Sequence, residues 1–597
     1  MGSTIPRNAF VIHCGPPAAE SDDHDFGSVT LRERPMSQAG TIDRFDRDGV
    51  TIWVRGHLYC RNARSFDVVE NLGVLANALR EKSSLADAMT VVAGGLFAVI
   101  VIDRSRGVLE AATDRLGCMP LYFRQSVEGI DFTNNPFVFQ GDTPLAETAV
   151  CEYLKYGHLP FSDSLFEGVR RVGPGETVTV TLGPNPRLAV DSRRYRTYLP
   201  IAERVQTPAE GAERLADAFD AYFARLGSDR GIAGLSGGYD SRLIAAYTAN
   251  HDVSLFNFGN PRSREVRFAQ RVAGRVGKTL DCFQIRTDAV ARHGARLREV
   301  MPGLDSFENA HVFELADRVA ASDSSYCLDG FGGDSVIGSN YYYKLGGGHG
   351  GLLGNLLMRD RFESHLHEPQ YYADLLYKNK RAVPDDALDG LIGADIRSAI
   401  HSRILMLESK HREWCPTHED MVESLTHATR GRCLIAGGPV ALSAFTVCYC
   451  PFVDHDVFDA AMACAKHVRA GDRLYNALWR RRFPELADVP KMNTGGRPHD
   501  NDRAYRAKHL ATAVMQRGVN PRLKRLTFGW WDRTEEYSSP TAYMADPSNR
   551  DFLRSLAERS MERLPLRVVH ALSQDYTAER LNPLVHLRMG SLLSYLG

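Results

Sequence analysis

The sequence predicts an α/β protein in two parts, a β-rich first part and a second part built on a doubly wound parallel sheet. Short alternating or apolar segments separated by turn residues recur through residues 8–185, which is typical of a β-rich domain. An apolar run, a glycine turn and a helical pattern follow one another at 231–247, and a second such unit follows at 255–277. Two strands that each lead into a helix favour a parallel sheet, in which ligands bind at the carboxyl ends of the strands.

The composition is that of an ordinary globular protein. The chain has 597 residues, 44% of them hydrophobic and 24% charged, with a formal net charge of −1. This balance gives no overall field to attract nucleic acid or an anionic membrane. The longest apolar run, residues 91–102, is shorter than the roughly 20 residues of a membrane helix, and the first residues lack the order of a signal peptide. We therefore expect a cytoplasmic protein with no membrane span and no nucleic-acid partner.

The eleven cysteines are few for this length and mostly lie in apolar contexts. That pattern is typical of buried free thiols in a reducing compartment. Cys448 and Cys450 are separated by a single residue, whereas zinc ligands usually have about two to four residues between them. We expect this pair to share one face of a strand rather than to bind a metal.

The β-rich part is expected to contain six short strands separated by turns. They are Phe10–His13, Val50–Arg55, Leu96–Asp103, Val108–Ala112, Leu121–Arg124 and Thr177–Thr181. The polar, arginine-rich residues 186–206 are interpreted as a linker. Thr207 and Glu210 then form a capping box, with Pro208 at the first helical position, so a helix is predicted to begin here. It is predicted to run to about residue 226.

The stretch Ser236-Gly-Gly-Tyr-Asp-Ser241 joins the strand at 231–235 to a helix that is predicted to begin at Ser241. A glycine turn at a helix N-terminus exposes backbone N–H groups and the positive end of the helix dipole, which suits a phosphate. The turn lacks the Gly-Lys-Ser/Thr ending of the other common phosphate loop. It resembles the S-G-G-x-D-S pyrophosphate loop of the ATP pyrophosphatases. In that family the loop binds the β- and γ-phosphates of ATP and leaves the α-phosphate open to attack by a substrate oxygen.

A second glycine-rich segment, residues 326–338, resembles the "L-S-G-x-G-x-D-E-x-x-G-G" segment of the asparagine synthetase family. The resemblance implies that Asp334 and the loop residue Asp240 bind Mg²⁺ with pyrophosphate, since a hard cation between phosphate oxygens requires carboxylates. The segment departs from the family pattern at Asp329, where the family has Ser, and at Ser335, where it has Glu. The second departure leaves one carboxylate fewer near the metal. ATP and Mg²⁺ are the implied cofactors.

Three stretches of the first part resemble, in the family order, the glutaminase-like domain of the same family. They are residues 94–103, 112–122 and 166–176. The resemblance implies an N-terminal-nucleophile (Ntn) type α+β domain over residues 1–190. It also implies an ATP pyrophosphatase domain of the adenine nucleotide α-hydrolase-like fold, with helical additions, over residues 207–597.

The start of the chain departs from the active glutaminase pattern. Active members begin with a nucleophilic cysteine whose own α-amine is the base. Here Gly2 and Ser3 follow Met1, and Cys14 cannot supply a terminal amine without cleavage before it. We therefore expect a degenerate domain that does not hydrolyse glutamine and that serves as a packing partner.

The stretch Val489-Pro-Lys491 resembles the family's "P-K-x-G" loop, whose lysine lies over the α-phosphate in relatives that close an amide within one substrate. Lys491 is predicted to stabilise charge in the adenylation and amide-forming transition states. Together with Asp240 and Asp334 it forms the predicted catalytic set. The segment at 255–277 resembles the family segment in which a strand-end backbone reads adenine. The predicted nucleotide-binding residues are Leu235, Ser236, Gly237, Gly238, Asp240, Ser241, Phe258, Gly259 and Gly330.

Four further features are given structural interpretations. The glycine-rich residues 341–355 are interpreted as a mobile loop whose His349 is merely solvated. Residues 451–455 resemble the family's "P-F-L-D-H" packing turn. Basic and aromatic residues at 522–531 are expected to form a cleft wall or core. Residues 581–596 are predicted to form an amphipathic helix that packs back on the domain.

Three classes in this family adenylate a carboxylate and then let a nitrogen attack it: asparagine synthetases, β-lactam synthetases and lasso-peptide macrolactam synthetases. The first residues argue against glutamine-dependent asparagine synthesis. β-Lactam synthetases deprotonate the attacking nitrogen with a Tyr–Glu pair, for which only Glu308 stands in a plausible upstream place. A peptide α-amine, with a pKa of about 8, needs less help. We therefore predict an ATP-dependent, AMP-forming macrolactam synthetase that joins a peptide N-terminus to an Asp or Glu side chain.

Three alternatives stay open at this point. They are a β-lactam synthetase, an ammonia-dependent relative of asparagine synthetase, and a non-catalytic nucleotide-binding relative. The intact Asp240 and Asp334 argue against the last. The expected substrate is a peptide or small-molecule carboxylate, and the lasso-peptide resemblance leaves room for a leader-peptide-processing protease as a partner.

Overall fold

A computed structural model describes most of the chain. The described residues are 8–15, 28–34, 42–183, 185–191, 201–261, 263–301, 306–338, 383, 388, 391–413, 415–515 and 540–597. The features interpreted above at 341–355 and 522–531 lie outside these residues, as do Gly2 and Ser3. No helix among the described residues combines the length and the apolar character that crossing a membrane requires.

The first part of the chain forms two antiparallel sheets. Its strands are β1 Ala9–Gly15, β2 Ser28–Arg34, β3 Ile42–Arg47, β4 Val50–Cys60, β5 Val92–Asp103, β6 Val108–Thr113, β7 Tyr122–Ser126, β8 Gly129–Thr133, β9 Arg170–Arg171, β10 Thr177–Thr181 and β11 Arg187–Asp191. One sheet has the order β2-β1-β8-β7-β9 and the other β11-β10-β6-β5-β4-β3. Apolar side chains of both sheets share one core, to which Ile12 and Phe132 contribute from the first sheet and Ile100 and Val178 from the second.

Two helices, α1 Val68–Glu81 and α2 Leu85–Ala88, cover the other face of the six-stranded sheet, where Leu72 packs with Ile52. Strand β11 corrects the predicted linker, because residues 187–191 pair with β10 rather than crossing freely. Leu188 and Val190 explain the pairing, since they are partly buried against the shared core despite their charged neighbours.

The second part is built on a five-stranded parallel sheet. Its strands are β12 Gly231–Gly234, β13 Val253–Phe258, β14 Leu280–Phe283, β15 Tyr326–Leu328 and β16 Val447–Tyr449. The order is β14-β13-β12-β15-β16, and every neighbouring pair is parallel. The chain therefore moves outward from β12 to β14 and then returns to β15 on the other side of β12. This confirms the predicted doubly wound sheet and places its switch point between β12 and β15, where such sheets bind ligands.

The remaining helices surround this sheet and build a separate helical layer. Their bounds are α3 Glu147–Tyr156, α4 Pro208–Phe223, α5 Tyr239–Tyr247, α6 Arg264–Arg275, α7 Ala289–His293, α8 Leu297–Val300, α9 His311–Ala320, α10 Gly333–Val336, α11 Ala394–Arg412, α12 His418–Thr426, a π-helix His427–Ile435, α13 Gly437–Leu442, α14 His455–Met462, α15 Lys466–Arg469, α16 Arg473–Arg482, α17 Asp502–Val514, α18 Pro540–Ala545, α19 Pro547–Ser560, α20 Leu566–Thr577 and α21 Pro583–Leu596. Thr207 caps α4 by accepting from the Glu210 N–H, as the capping box predicts.

The helical layer joins segments that are distant in sequence. Side chains of α3, α7, α11, α19 and α21 share one apolar core. Helix α21 packs back on the domain, as predicted, but it is not amphipathic, because nearly all of its residues are buried, including Arg588. All eleven cysteines are free thiols, and Cys448 and Cys450 are both buried in the core between the parallel sheet and the first part.

The two parts meet along the linker and the start of α14. Val205 pairs with the 463–465 loop, since its N–H donates to the Ala463 carbonyl at 2.8 Å. Tyr59 of β4 donates to Asp454 at 2.8 Å, and Asp454 caps α14 by accepting from the Asp456 and Val457 N–H groups. Asp454 is thus a structural residue, as expected.

Candidate active site at the switch point

Two serines close the turn after β12. The Ser236 N–H donates to Ser241 Oγ at 2.9 Å, and the Gly238 N–H donates to Ser236 Oγ at 3.1 Å. Helix α5 begins at Tyr239, two residues before the predicted start, because the Tyr239 ring is drawn into packing with Tyr475 at 5.5 Å between centroids. The Gly238 N-cap supplies no side-chain acceptor to the N–H groups of the first turn. This arrangement suits an anion at the helix N-terminus.

Asp240 lies in the first turn of α5, against the glycine loop that follows β15. A Cβ atom on Gly333 would lie 2.4 Å from Asp240 Cγ, and one on Gly330 would lie 3.2 Å from Asp240 Cβ. The Tyr475 hydroxyl donates to Asp240 Oδ1. Burial raises the pKa of Asp240 well above its usual value, and the charge of Asp334 raises it further. Two acids held this close favour a cation between them.

Lys491 joins Asp334 to a second acid. Asp334 lies on α10 with half of its side chain exposed, and Lys491 Nζ is 3.5 Å from its Oδ1. The same ammonium is 2.9 Å from Asp472 Oδ1. Burial alone would lower the pKa of Lys491, but attraction to Asp472 and to the two site acids outweighs it and raises the pKa. The structure thus brings Asp240, Asp334 and Lys491 into one cluster.

The segment at 469–476 contains residues that contact Asp240 and Lys491 and that were not singled out in the sequence. Asp472 is buried, has a left-handed backbone with φ of 60°, and accepts from the Tyr505 hydroxyl at 2.7 Å. Tyr475, three residues on, donates to Asp240, as described above. The one signal in the sequence is the Gly471-Asp472 pair between two helical stretches, which indicates a turn and no more.

Arg242 ties the phosphate-type turn to the lysine loop, defined here as residues 489–496. Its fully buried guanidinium donates to the Pro490 carbonyl at 2.8 Å and to the Gly237 carbonyl at 3.4 Å. The Met492 N–H also donates to the Gly237 carbonyl, at 3.1 Å. The relative position of turn and loop is therefore fixed by hydrogen bonds. Sequence reasoning missed Arg242, because an arginine in the first turns of a helix is ordinarily exposed.

The residues predicted to contact adenine lie at the ends of neighbouring strands. The Leu235 N–H donates to the Phe256 carbonyl at 2.7 Å, which joins the start of the turn to β13. Phe258 ends β13, and its partly exposed ring stacks on His311 with centroids 5.9 Å apart. The Gly259 N–H donates to β14. These residues occupy the ligand-binding edge of the sheet, and their contact with a nucleotide stays a prediction.

Glu308, whose carboxylate was considered above as a candidate general base, forms an ion pair with Arg588. Its Oε1 accepts from Arg588 Nε at 2.5 Å and from Ser306 Oγ at 3.0 Å. Both Glu308 and Arg588 are buried. A carboxylate held in this way has a structural task, since removing it would leave a buried charge uncompensated.

Cys14 is the candidate thiol nearest the start of the described residues. It lies in β1, between β2 and β8, and is buried. Burial raises the pKa of its thiol to about 12, and the charge of Asp131 adds to the shift. Because the thiolate is the reactive form, this environment disfavours a role for Cys14 as a nucleophile.

The donor set fits Mg²⁺ only in company with phosphate. The described residues hold no group of three or more His, Cys, Asp or Glu side chains placed to bind a metal by themselves. Mg²⁺ is usually bound by one or two carboxylates together with substrate phosphates. Asp240 and Asp334, beside a helix N-terminus with no side-chain cap, match that donor set.

The fold and the cluster define an α/β protein with a phosphate-type turn and two acids at the switch point of a parallel sheet. Residues 219–491 match the asparagine synthase family, and residues 62–189 match the glutamine amidotransferase domain family. The second part of the chain is thus similar to asparagine synthases and the first part to glutamine amidotransferase domains. Asp240, Asp334 and Lys491 all lie within the matched synthase segment.

A curated relative shares part of this segment. The chain is 26% identical over 271 residues to "Asparagine synthetase [glutamine-hydrolyzing] 1" of Bacillus subtilis (strain 168). The match covers 42% of this chain and 41% of that protein, so the chain spans about two fifths of the length of the relative that it matches.

Two solved structures are distantly similar. One is titled the structure of the allosteric regulatory enzyme of purine biosynthesis, with 9% identity, a TM-score of 0.20, and coverage of 38% of this chain and 54% of that chain. The other is glutamine phosphoribosylpyrophosphate amidotransferase from B. subtilis in complex with ADP and GMP, with 9% identity, a TM-score of 0.18 and the same coverage. At these scores neither likeness bears on function.

Proposed function

We propose that this protein forms an amide bond at the expense of ATP. A carboxylate oxygen of the substrate attacks the α-phosphorus of ATP, the bond from that phosphorus to the bridging oxygen breaks, and pyrophosphate leaves. An amine then attacks the acyl carbon, and AMP leaves. The observation that carries the proposal is the cluster of Asp240, Asp334 and Lys491 at the switch point of the sheet, in a segment that matches the asparagine synthase family.

Each part of the cluster has a task in this reaction. The backbone N–H groups of the 236–241 turn bind phosphate oxygens. Asp240 and Asp334 would hold Mg²⁺, which, when bound, neutralises charge on the leaving pyrophosphate. Lys491 holds its ammonium in a fixed, buried place. A preorganised donor of this kind is worth about 10²–10³ in rate when it faces charge that develops in the transition state.

We propose further that the amine is the N-terminus of a peptide and the carboxylate an Asp or Glu side chain of the same peptide. The product is then a macrolactam of the lasso-peptide type. Two observations support this choice. Glu308 is held in an ion pair with Arg588. It is therefore not available as the acidic member of a Tyr–Glu pair that would deprotonate the attacking nitrogen. A peptide α-amine, with a pKa of about 8, is unprotonated to about one tenth at pH 7, a larger fraction than for an amine of higher pKa.

This reaction has a requirement upstream. A peptide presents a free α-amine at the ring position only after the residues before it have been removed. A leader-peptide-processing protease is therefore the partner protein that we propose, and the substrate is the peptide that it releases.

An ammonia-dependent, asparagine synthetase-like reaction is the second candidate. The specific observation in its favour is the 26% identity to an asparagine synthetase over 271 residues. The buried, high-pKa thiol of Cys14 gives no support to an internal source of ammonia, so this version would use free ammonium.

One assay separates the two candidates. Purified protein is incubated with Mg·ATP and either the trimmed peptide encoded beside its gene, or aspartate with ammonium, or aspartate with glutamine, and released pyrophosphate is measured. The macrolactam proposal expects pyrophosphate with the peptide, together with a product lighter by one water. Pyrophosphate with aspartate and ammonium alone would favour the second candidate. Release in none of the three mixtures, from a protein that unfolds cooperatively, would overturn both.

The variant Asp240→Asn tests the role of the metal-binding acid. Asn keeps the size of the side chain and removes its charge, so we expect pyrophosphate release to be lost while the melting temperature is unchanged or higher, because burial opposes the charge of Asp240. Full activity in this variant would contradict the proposed role.

A further inference from the structure

One short segment contacts two residues of the proposed catalytic set and the backbone directly after the third. Arg469 donates to the carbonyl oxygens of Ser335 and Val336, directly after Asp334. Asp472 accepts from Lys491, and Tyr475 donates to Asp240. The 469–475 segment thus holds the glycine loop, the lysine loop and the first turn of α5 at the same time.

Asp472 is held in place from several directions. Its backbone is left-handed, with φ of 60° and ψ of 17°, a conformation that non-glycine residues adopt uncommonly. Its two carboxylate oxygens accept from different donors, Lys491 Nζ at 2.9 Å and the Tyr505 hydroxyl at 2.7 Å. Such a conformation persists only where the surroundings fix it, and it occurs disproportionately at functional sites.

The distances show what Asp472 prevents. Lys491 Nζ lies 2.9 Å from Asp472 and 3.5 Å from Asp334. If Asp472 had no charge, Asp334 would be the nearest remaining anion among the described contacts of the ammonium. The Lys491 ammonium would then move closer to Asp334, which is one of the two carboxylates proposed to bind Mg²⁺.

We propose that Asp472 is a positioning residue that holds the Lys491 ammonium at 2.9 Å and so limits its contact with Asp334 to a longer ion pair of 3.5 Å, which leaves that carboxylate able to bind Mg²⁺ with a bound triphosphate. This inference rests on the proposed function for the identity of the ligand, and it adds a residue that acts through Lys491 rather than on the substrate. It predicts competition between Lys491 and Mg²⁺ whenever the charge of Asp472 is removed.

The test uses Asp472→Asn in the full-length protein. Asn is the non-glycine residue best suited to a left-handed backbone, together with Asp, so the change removes charge and keeps the turn. Binding of α,β-methylene-ATP is measured by calorimetry over a range of Mg²⁺ concentrations. The half-maximal Mg²⁺ concentration is expected to rise about tenfold, the effect of one close charge contact in a partly buried site. Excess Mg²⁺ should restore binding.

Two further variants make the result decisive. The control Asp500→Asn removes a comparable Asp–Lys pair, Asp500 with Lys508 at 2.6 Å, and should leave the Mg²⁺ requirement unchanged. In the double variant Asp472→Asn with Lys491→Met the competing ammonium is gone, so the Mg²⁺ requirement should return towards that of the unaltered protein. A defect that Asp472→Asn causes by misfolding would persist in the double variant.

The outcomes distinguish this inference from the proposed function. An unchanged Mg²⁺ requirement in Asp472→Asn, or no recovery in the double variant, would overturn the role of Asp472. If the unaltered protein binds the analogue with Mg²⁺ but forms no amide, the proposed reaction fails and the binding test of Asp472 stands. If the unaltered protein does not bind the analogue at any Mg²⁺ concentration, both ideas fall.

Discussion

The contact between Gly333 and Asp240 gives the sharpest test of how tightly the site is built. Gly333 lies in helix α10, so alanine fits its backbone, yet the added Cβ would lie 2.4 Å from Asp240 Cγ. Non-bonded carbon atoms need about 3.5 Å, so the glycine loop and Asp240 must separate by about 1 Å. A misplacement of about 1 Å can cost about a hundredfold in rate, equivalent to about 2.7 kcal/mol in the activation barrier.

The assay is kcat/KM for pyrophosphate release with saturating Mg·ATP and the best substrate found, alongside the melting temperature. We expect Gly333→Ala to lose about a hundredfold in kcat/KM while it still unfolds cooperatively. The matched control is Gly274→Ala in helix α6, where an added Cβ meets nothing within 4 Å. That variant should keep full activity and gain up to about 1 kcal/mol of helix stability.

A Gly333→Ala enzyme as active as Gly274→Ala would refute the reasoning. It would mean that the acid on α5 and the loop carrying Asp334 can separate without harm, so that they do not share a ligand.

Two other predictions concern buried acids outside the cluster. Burial raises the pKa of Asp454 from 3.8 to about 6, so the stability it contributes is present below pH 3.8 and is lost as the pH rises through about 6. Asn also caps helices, so the Asp454→Asn variant should keep the cap. It should be more stable than the unaltered protein by about 3 kcal/mol at pH 7, and denaturant unfolding should show this difference closing below about pH 4. A difference that stays constant with pH would contradict this. Glu308→Gln removes the carboxylate that balances the charge of buried Arg588 and should cost about 3–5 kcal/mol of unfolding free energy with kcat unchanged, whereas loss of the exposed Glu213–Arg481 pair should cost less than about 1 kcal/mol. A fall in kcat with full stability would instead make Glu308 catalytic.

Local patterns were enough to predict six strands of the first part and the two parallel strands β12 and β13. The apolar run before Ser236 and the glycine turn after it are contiguous in sequence, so the strand and the turn could be predicted together. The resemblance to the asparagine synthetase family pointed to Asp240 and Asp334, and the pairing of β12 with β15 places both acids at one edge of the sheet. Their proximity is what the structure adds to that expectation.

The partners of these acids could not be predicted in the same way. Tyr475 lies 235 residues beyond Asp240, and Arg242 lies 248 residues before Pro490. Each looks like an ordinary helical residue until the fold brings the segments together. The strand at 187–191 was missed for a different reason, since its charged ends resemble a linker and its pairing with β10 depends on a neighbour already in place.

The Tyr59 hydroxyl on the Asp454 cap has a consequence for the whole molecule. Val453, just before that cap, stands 3.0 Å from where a Cβ on Gly332 would be, so the brace reaches the base of the loop that carries Asp334. A chain trimmed to its second half would keep Asp240, Asp334 and Lys491. It would lose the Tyr59 contact that supports the loop before Asp334. The first part of the chain therefore supports the site through this contact, whether or not that part carries out a reaction of its own.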